Sequence, residues 1–113
     1  MGSARKDKVA KAIQAAVADF LTRFMTETAP GFITVSQVKM SDDLKLASVY
    51  FSILGGDDKI DGSLAVLEHH KGRIRYHVGQ EVPLKYVPEL RFFHDDTMAY
   101  MDHMNRIIRK LMN

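Results

Sequence analysis

A cluster of basic residues around one glycine is the most chemically suggestive feature of this sequence. Lys71, Arg73 and Arg75 surround Gly72 within five consecutive positions. A glycine leaves backbone N–H groups accessible, and the N-terminus of a following helix favours an anion. Arginine adds a planar fork of donors that suits phosphate oxygens. The pattern predicts a contact with a nucleic-acid backbone, and a glycine-capped helix end with solvated basic neighbours is the open alternative.

Five histidines raise the question of a metal site. His69 and His70 are adjacent, so on a helix they would point about 100° apart. His70 and His77 would be separated by about two turns, roughly 10 Å along the axis. The chain has no HExxH pair, and neighbouring residues from His94 to Asp96 would alternate faces on a strand. We therefore expect no metal and no cofactor.

The motifs of common enzyme classes are missing from the sequence. There is no Walker loop, no GxGxxG and no nucleophile elbow, and the absence of cysteine excludes a thiolate zinc site and a cysteine nucleophile. The acidic pairs Asp42-Asp43 and Asp95-Asp96 are better explained as turn and cap residues than as catalytic acids. We expect a protein that is not an enzyme, with a hydrolase using His94 and Asp95 as a distant alternative.

The first half of the chain predicts one helix and a hairpin. Between Arg5 and about Met25, one helical face carries apolar residues: Val9, Ile13, Ala16, Val17, Phe20 and Phe24. Phe32 to Met40 is rich in β-branched and aromatic residues, and Lys45 to Ile53 alternates apolar with polar residues. A polar turn at residues 41–43 joins these two predicted strands into an antiparallel hairpin, with Ala47, Val49, Phe51 and Ile53 facing the core.

The second half predicts two short helices, a strand and a last helix. Ile60, Leu64 and Leu67 begin one helical face, and the break falls at His70-Lys71-Gly72. Gly79 and Pro83 would end the second helix, and Leu84 to Phe93 reads as a strand. Asp96 or Thr97 could cap the final helix. One face of that helix would hold Met98, Met101, Met104, Ile108 and Leu111. The expected class is α+β, with helices on one face of a small sheet.

Length and composition indicate one globular domain over residues 1–113. The chain has 46% hydrophobic and 27% charged residues, which is an ordinary globular balance. No apolar run approaches the ~20 residues of a membrane span, and the lack of cysteine fits a reducing compartment. We therefore expect a soluble, cytoplasmic protein with no membrane partner. Residues 1–3 could be a cloning remnant or disordered.

Charge is unevenly distributed along the chain. Residues 1–11 and 69–91 each sum to +3, whereas residues 41–68 sum to −4. Lys85 and Arg91 lie in the second basic segment and extend the set of candidate phosphate contacts. This pattern predicts a polyanionic partner on one side, with solubility charge as the alternative. Tyr76 and Tyr86 could stack on bases, with a tyrosine packed at a sheet or helix edge as the favoured alternative. The lack of an aromatic pair on one strand argues against an RRM-like platform.

Three motifs together resemble the ribosome-binding factor A family of bacterial small-subunit assembly factors. Ser41-x-Asp43-Leu44-x-x-Ala47-x-Val49 resembles the hairpin signature of this family. Gly72-x-Ile74-Arg75 is similar to its segment after the helix kink, and Pro88-Glu89-Leu90-x-Phe92-x-x-Asp95 matches its most distinctive motif. The resemblance covers nearly the whole chain, from about Lys6 to the last helix. One departure is His70, which stands where the family has alanine.

The resemblance implies a type II KH-like fold, a three-stranded mixed sheet with a helix–kink–helix in place of a GxxG loop. It implies binding of the free 30S ribosomal subunit and its 16S rRNA during late assembly and rRNA processing, including cold conditions. On this basis we expect a monomer that acts with other assembly factors. The candidate RNA-binding residues are Lys71, Gly72, Arg73, Arg75, Lys85 and Arg91. The alternative is a protein-interaction adaptor that uses the acidic segment or the Met-lined last helix.

Overall fold

The computed structural model describes residues 2–25, 29–96 and 108–111. Its elements are, in chain order, α1 (Gly2–Phe24), β1 (Phe32–Met40), β2 (Leu46–Leu54), α2 (Asp57–His69), α3 (Lys71–Glu81) and β3 (Glu89–His94). Residues 108–111 are also helical. Apart from residues 108–111, the expected last helix lies outside the described residues, as do its methionines Met98, Met101 and Met104. Within the described residues, no helix combines the length and apolar character that crossing a membrane requires.

The three strands form one mixed sheet in the order β1-β2-β3. β1 and β2 are antiparallel, with Met40 opposite Ala47 beside the turn and Phe32 opposite Leu54 at the other end. β3 runs parallel to β2, because the chain crosses over through α2 and α3 before it returns to the sheet. The mixed three-stranded sheet packed against helices confirms the α+β class predicted from the sequence.

The core lies between the three helices and one face of the sheet. All four predicted inward residues of β2, Ala47, Val49, Phe51 and Ile53, are buried there, and Phe51 is 0% exposed. The predicted apolar face of α1 is buried at Ile13, Ala16, Val17 and Phe20 and half-buried at Val9, but Phe24 is 49% exposed. Phe24 is therefore not a core residue, because its ring lies at the surface beside α3, near His77 and Arg73.

The β1–β2 turn is held by a polar cluster around Leu44, a non-glycine residue with φ +61°. The Asp43 carboxylate accepts hydrogen bonds from the Ser41 hydroxyl at 2.7 Å and from the Lys45 N–H at 3.0 Å. These bonds hold the pKa of Asp43 below its ordinary value, with the Ser41 hydroxyl as the largest cause. They also offset the cost of the left-handed backbone at Leu44. The turn predicted at residues 41–43 is confirmed.

A contact of Lys6 links the same turn to the first helix. Its Nζ lies 2.8 Å from Oδ1 of Asp42, and this hydrogen bond raises the pKa of the Lys6 ammonium. The Asp42 side chain is almost fully exposed, so the pair is solvent-screened and its contribution to stability is small. The contact positions the basic start of α1 beside the hairpin turn.

The junction of α2 and α3 corrects one sequence prediction. The break was expected across His70-Lys71-Gly72, but it is confined to His70, which closes α2 and precedes α3 with φ −94° and ψ 7°. The His70 N–H still bonds the Val66 carbonyl at 3.1 Å. Gly72 is the second residue of α3 and has ordinary helical geometry. The two short helices are confirmed, but Gly72 is not the residue that breaks them.

The third strand begins later than expected. Residues 84–88 were predicted as strand, yet β3 starts at Glu89, and Pro88 is among the most deeply buried side chains just before it. Proline has no N–H for a ladder bond, which explains why pairing starts at the next residue. The α3 helix also continues through Gly79 to Glu81, so Gly79 does not end it as predicted.

Candidate nucleic-acid interface

The basic residues of the 71–75 segment lie on two sides of α3. Lys71 lies on the β3 side, with its Nζ 4.9 Å from the centre of the Phe92 ring and 2.8 Å from a Glu68 carboxylate oxygen. Arg73 lies on the α1 side, with its guanidinium carbon 5.6 Å from the Phe20 ring and 5.7 Å from the Phe24 ring. Helical geometry explains this division, since residues two apart differ by about 200° around the axis.

The guanidinium of Arg75 is largely used within the protein. Its Nε donates to the Pro88 carbonyl at 3.1 Å and its Nη2 donates to the Val87 carbonyl at 2.8 Å. This planar fork joins α3 to the segment that enters β3. A lysine ammonium lacks this fixed planar spacing of two donor nitrogens, so it would not reproduce the same pair of bonds. Arg75 therefore fixes the position of the basic helix, and only its remaining N–H groups are open to a phosphate.

The glycine of the cluster is not required by the packing or by the backbone. Gly72 is exposed, and among the described residues no atom lies within 4 Å of the position where a Cβ would stand. Its φ is outside the left-handed region, so an alanine would fit without strain. The first N–H groups of a helix have no intrahelical acceptor, and α3 has no side-chain cap bond in the described part of the chain. The first N–H groups of α3 are therefore candidate donors to a bound phosphate.

The two remaining candidates lie apart from Arg73. Lys85 is in the exposed segment before β3, with its Nζ 5.7 Å from the Tyr86 ring. Arg91 is exposed on β3, where its Nε lies 3.9 Å from a Glu89 carboxylate oxygen. Side chains alternate along a strand, so Arg91 points to the opposite face of the sheet from the buried Leu90. The structure brings Lys71 and Arg73 onto one helix turn but does not bring Arg91 to them.

α1 and α3 are the basic helices of the helical layer. They contact each other antiparallel, because Asp19 lies at His77 while Phe24 lies at Arg73. Together these two helices hold eight Lys and Arg against three Asp and Glu, a net charge of +5, whereas the neighbouring α2 holds one Lys against four acids, a net charge of −3. The antiparallel packing places the basic start of α1 at the opposite end of the pair from Arg73.

A shallow groove runs between the C-terminal part of α1 and the start of α3. Its volume is about 360 Å³, and its lining consists of Phe20, Phe24, Gly72, Arg73, Tyr76 and His77. Phe24 is 49% exposed and Tyr76 is 70% exposed, whereas Phe20 forms the buried floor. The missing side chain at Gly72 leaves one wall open. The groove thus combines exposed aromatic rings with a cation beside the start of a helix.

The lower rim of this groove has a polar network that sequence reasoning missed. The Asp19 carboxylate contacts His77 Nε2 at 2.9 Å through one oxygen and Arg23 Nε at 3.0 Å through the other. Glu81 lies close enough that one ligand atom from each of Asp19, His77 and Glu81 falls within 4.8 Å of the others. Such a set has metal-ligand chemistry, although Asp19 is already engaged by Arg23. No sequence pattern indicates this network, since Asp19 lies on a different helix from His77 and Glu81.

A second surface feature overlooked in the sequence is an aromatic pair on the outer face of the sheet. Tyr50 on β2 and Phe93 on β3 are register partners, and their rings stack with centres 5.2 Å apart. The Lys39 Nζ lies 5.5 Å from the Tyr50 ring. This pair forms across two strands, so it leaves no pattern of two aromatic residues within the sequence of either strand. Phe93 is 41% exposed.

Comparisons with known proteins agree with this architecture. A family model described as ribosome-binding factor A matches residues 5–108. A relative from Natranaerobius thermophilus, named ribosome-binding factor A, is 35% identical over 111 residues, covering 98% of this chain and 85% of the relative. A crystal structure of ribosome-binding factor A from Thermus thermophilus superposes with a TM-score of 0.69 at 21% identity, covering 79% of this chain and 94% of that chain.

A second structural neighbour extends the comparison of the fold. It is a homology model of the Thermus thermophilus factor, described as fitted into the cryo-EM map of a complex with the 30S subunit. Its TM-score is 0.67 at 22% identity, and it covers 80% of this chain and 96% of that chain. The shared architecture is a KH-like fold, a three-stranded mixed sheet with helices, as the motifs had indicated.

Proposed function

We propose, from the premise that this chain belongs to the ribosome-binding factor A family, that it binds the free 30S ribosomal subunit through its 16S rRNA during late assembly. The match of the family model over residues 5–108 is the observation that carries the proposal. In this role the protein acts on rRNA processing by binding an immature RNA region and holding it in place, without a catalytic step. It does so as a monomer in the cytoplasm, alongside other assembly factors and under cold conditions.

The charge distribution supports RNA as the component that is bound. The helices α1 and α3 together have a net charge of +5, and no side-chain cap bond engages the first turn of α3 in the described part of the chain. Phosphate groups supply most of the sequence-independent affinity in protein–nucleic-acid complexes. The proposal assigns phosphate contacts to Lys71, Arg73 and Lys85, and a weaker one to Arg75. Arg91 would contact RNA only if the RNA also reaches the other side of the β3 edge.

Co-sedimentation with separated ribosomal subunits tests the proposal. We expect the protein to move with purified small subunits through a sucrose gradient, to remain unbound with large subunits, and to bind less as salt rises. An affinity that does not change with salt concentration would indicate contacts with ribosomal proteins instead of rRNA. Equal binding to both subunits, or to neither, would contradict the proposed function.

A further inference from the structure

We propose that the groove between α1 and α3 is a subsite for an unpaired nucleobase of RNA, which stacks on the aromatic wall formed by Phe24 and Tyr76. This inference rests on the proposed function and deepens it, because it adds a base-binding element to a surface described so far by its charge. It names the chemistry of the ligand, a flat π-system attached to a phosphate, without specifying the RNA sequence.

The exposure of two aromatic rings is the first argument. Tyr76 is 70% and Phe24 49% exposed, and both line the same groove of about 360 Å³. That volume is at the lower end of the range of about 300–1,000 Å³ for small-molecule sites. It suits one planar group and is too small to receive a helix of a protein partner. Aromatic side chains beside a basic surface are the usual platform for unstacked bases.

Arg73 is the second argument, because it places a cation at the same rings. Its guanidinium carbon lies within 5.7 Å of the centres of both Phe20 and Phe24. A guanidinium on an aromatic face keeps its N–H edge available for a phosphate or a base carbonyl. The same arginine can therefore contact the nucleotide whose base lies in the groove.

Gly72 is the third argument. A glycine within a helix costs about 1 kcal/mol relative to alanine, and the described structure offers no compensation, since no neighbour approaches its Cβ position within 4 Å and its φ is ordinary. It lines the groove beside the first turn of α3. A bare backbone here lets a nucleotide approach the N–H groups of that turn closely.

The charged residues at the groove itself favour RNA over a protein segment as the occupant. Arg73 lines the groove, whereas the basic residues at the start of α1 lie at the far end of that helix. The Asp19 carboxylate beside the groove is engaged by both Arg23 and His77. A negatively charged nucleotide satisfies both the Arg73 guanidinium and the aromatic wall, whereas an apolar peptide would satisfy only the wall.

The test compares two exposed aromatic residues. Tyr76 lines the groove, and Phe32, at 65% exposure, lies outside it at the start of β1. Both are replaced by alanine, and binding is measured by fluorescence anisotropy with a random-sequence single-stranded RNA of about ten nucleotides. We expect Tyr76→Ala to bind about 5- to 150-fold more weakly than the parent protein, and Phe32→Ala to bind like the parent. Tyr76→Phe retains the ring and should restore binding.

A second probe separates stacking from charge. The same ribose-phosphate chain without bases should bind the parent and Tyr76→Ala equally, and the salt dependence with the base-bearing RNA should have the same slope in both proteins. Parent-like binding of the base-bearing RNA by Tyr76→Ala would overturn the subsite, as would an equal loss on the probe without bases. If the parent binds small subunits but not the random RNA, the subsite is wrong while the proposed function stands.

Discussion

The guanidinium of Arg75 donates to two consecutive backbone carbonyls, those of Val87 at 2.8 Å and Pro88 at 3.1 Å. Arg75 belongs to the Gly72-x-Ile74-Arg75 motif, and Pro88 opens the Pro88-Glu89-Leu90 motif. Two motifs separated by 13 positions are thus one structural unit, in which the basic helix is attached to the start of the parallel strand. The positions of Lys71 and Arg73 relative to the sheet depend on this attachment.

Replacing Arg75 should therefore affect stability more than a typical surface substitution. Arg75→Lys keeps the charge but loses the planar fork, and we expect it to lower the free energy of unfolding by about 1–2 kcal/mol. Arg91→Lys is the control at an exposed arginine, whose Nε lies 3.9 Å from a Glu89 carboxylate oxygen, and its expected change is within about 0.5 kcal/mol. Urea denaturation measures both values. Equal midpoints for Arg75→Lys and the parent would show that the fork contributes nothing to the fold.

The two faces of β2 should differ sharply in their tolerance to truncation. Phe51 is 0% exposed and packs edge-on against Phe92, with ring centres 5.2 Å apart. We expect Phe51→Ala to cost about 3–5 kcal/mol, because it leaves a cavity in a small core. Ser48→Ala lies on the opposite face of the same strand and should cost less than about 0.5 kcal/mol. Thermal unfolding measures the melting temperatures of both variants. Similar melting temperatures would refute the assignment of the two faces of β2.

Gly72 and Gly31 should respond in opposite ways to the same substitution. Gly72 has open space around its Cβ position, so Gly72→Ala should raise the free energy of unfolding by up to about 1 kcal/mol. At Gly31 a Cβ would stand 2.9 Å from the Leu54 carbonyl oxygen and 3.0 Å from Ser63 Oγ, so Gly31→Ala should destabilise.

Binding distinguishes a functional glycine from one that is merely tolerated. Gly72→Ala should be at least as stable as the parent and still bind small subunits more weakly, because the methyl group narrows the approach to the first turn of α3. Melting temperature and co-sedimentation are measured on one preparation. A stable variant that binds like the parent would mean that nothing approaches this backbone closely.

The Asp43 carboxylate in the hairpin turn should make the stability of the protein depend on pH. The folded protein lowers the pKa of Asp43 through the Ser41 hydroxyl and the Lys45 N–H. A lowered folded pKa means that the carboxylate adds stability above its ordinary pKa, and that this stability is lost as pH falls through the lowered value. Asp43→Asn should thus melt below the parent at pH 7, and the difference should shrink below about pH 4. A constant difference from pH 7 to pH 3 would contradict this assignment.

Elements with strong local periodicity were predictable from the sequence. The alternation of Ala47, Val49, Phe51 and Ile53 defines a half-buried strand by itself, because each side chain must face the core or solvent. The helical face of α1 is equally clear up to Phe20. Phe24 belongs to the same face but lies at the surface beside α3, because helical period tells which direction a residue faces but not how completely other elements cover it.

The candidate site was less predictable, because it depends on how helices pack. The sequence predicts one basic patch around a kink, formed by Lys71, Arg73 and Arg75. In the structure α3 begins at Lys71, so Arg73 points to the opposite side of the helix from Lys71 and Arg75. Assigning residue 71 onward to a helix would have revealed this division from the sequence. The groove itself could not be inferred, since Phe24 and Tyr76 meet only through the packing of α1 on α3.

The salt dependence of binding to purified small subunits tests the central claim most directly. The claim is that the start of α3 contacts rRNA phosphates through Lys71 and Arg73. The double variant Lys71→Ala/Arg73→Ala is compared with Lys45→Ala/Lys59→Ala, which removes the same charge from the acidic half of the chain. We expect the first variant to bind more weakly and to reduce the slope of log affinity against log salt by about 1.4–1.8, whereas the second keeps the parent slope. Identical slopes for the two variants would contradict the claim.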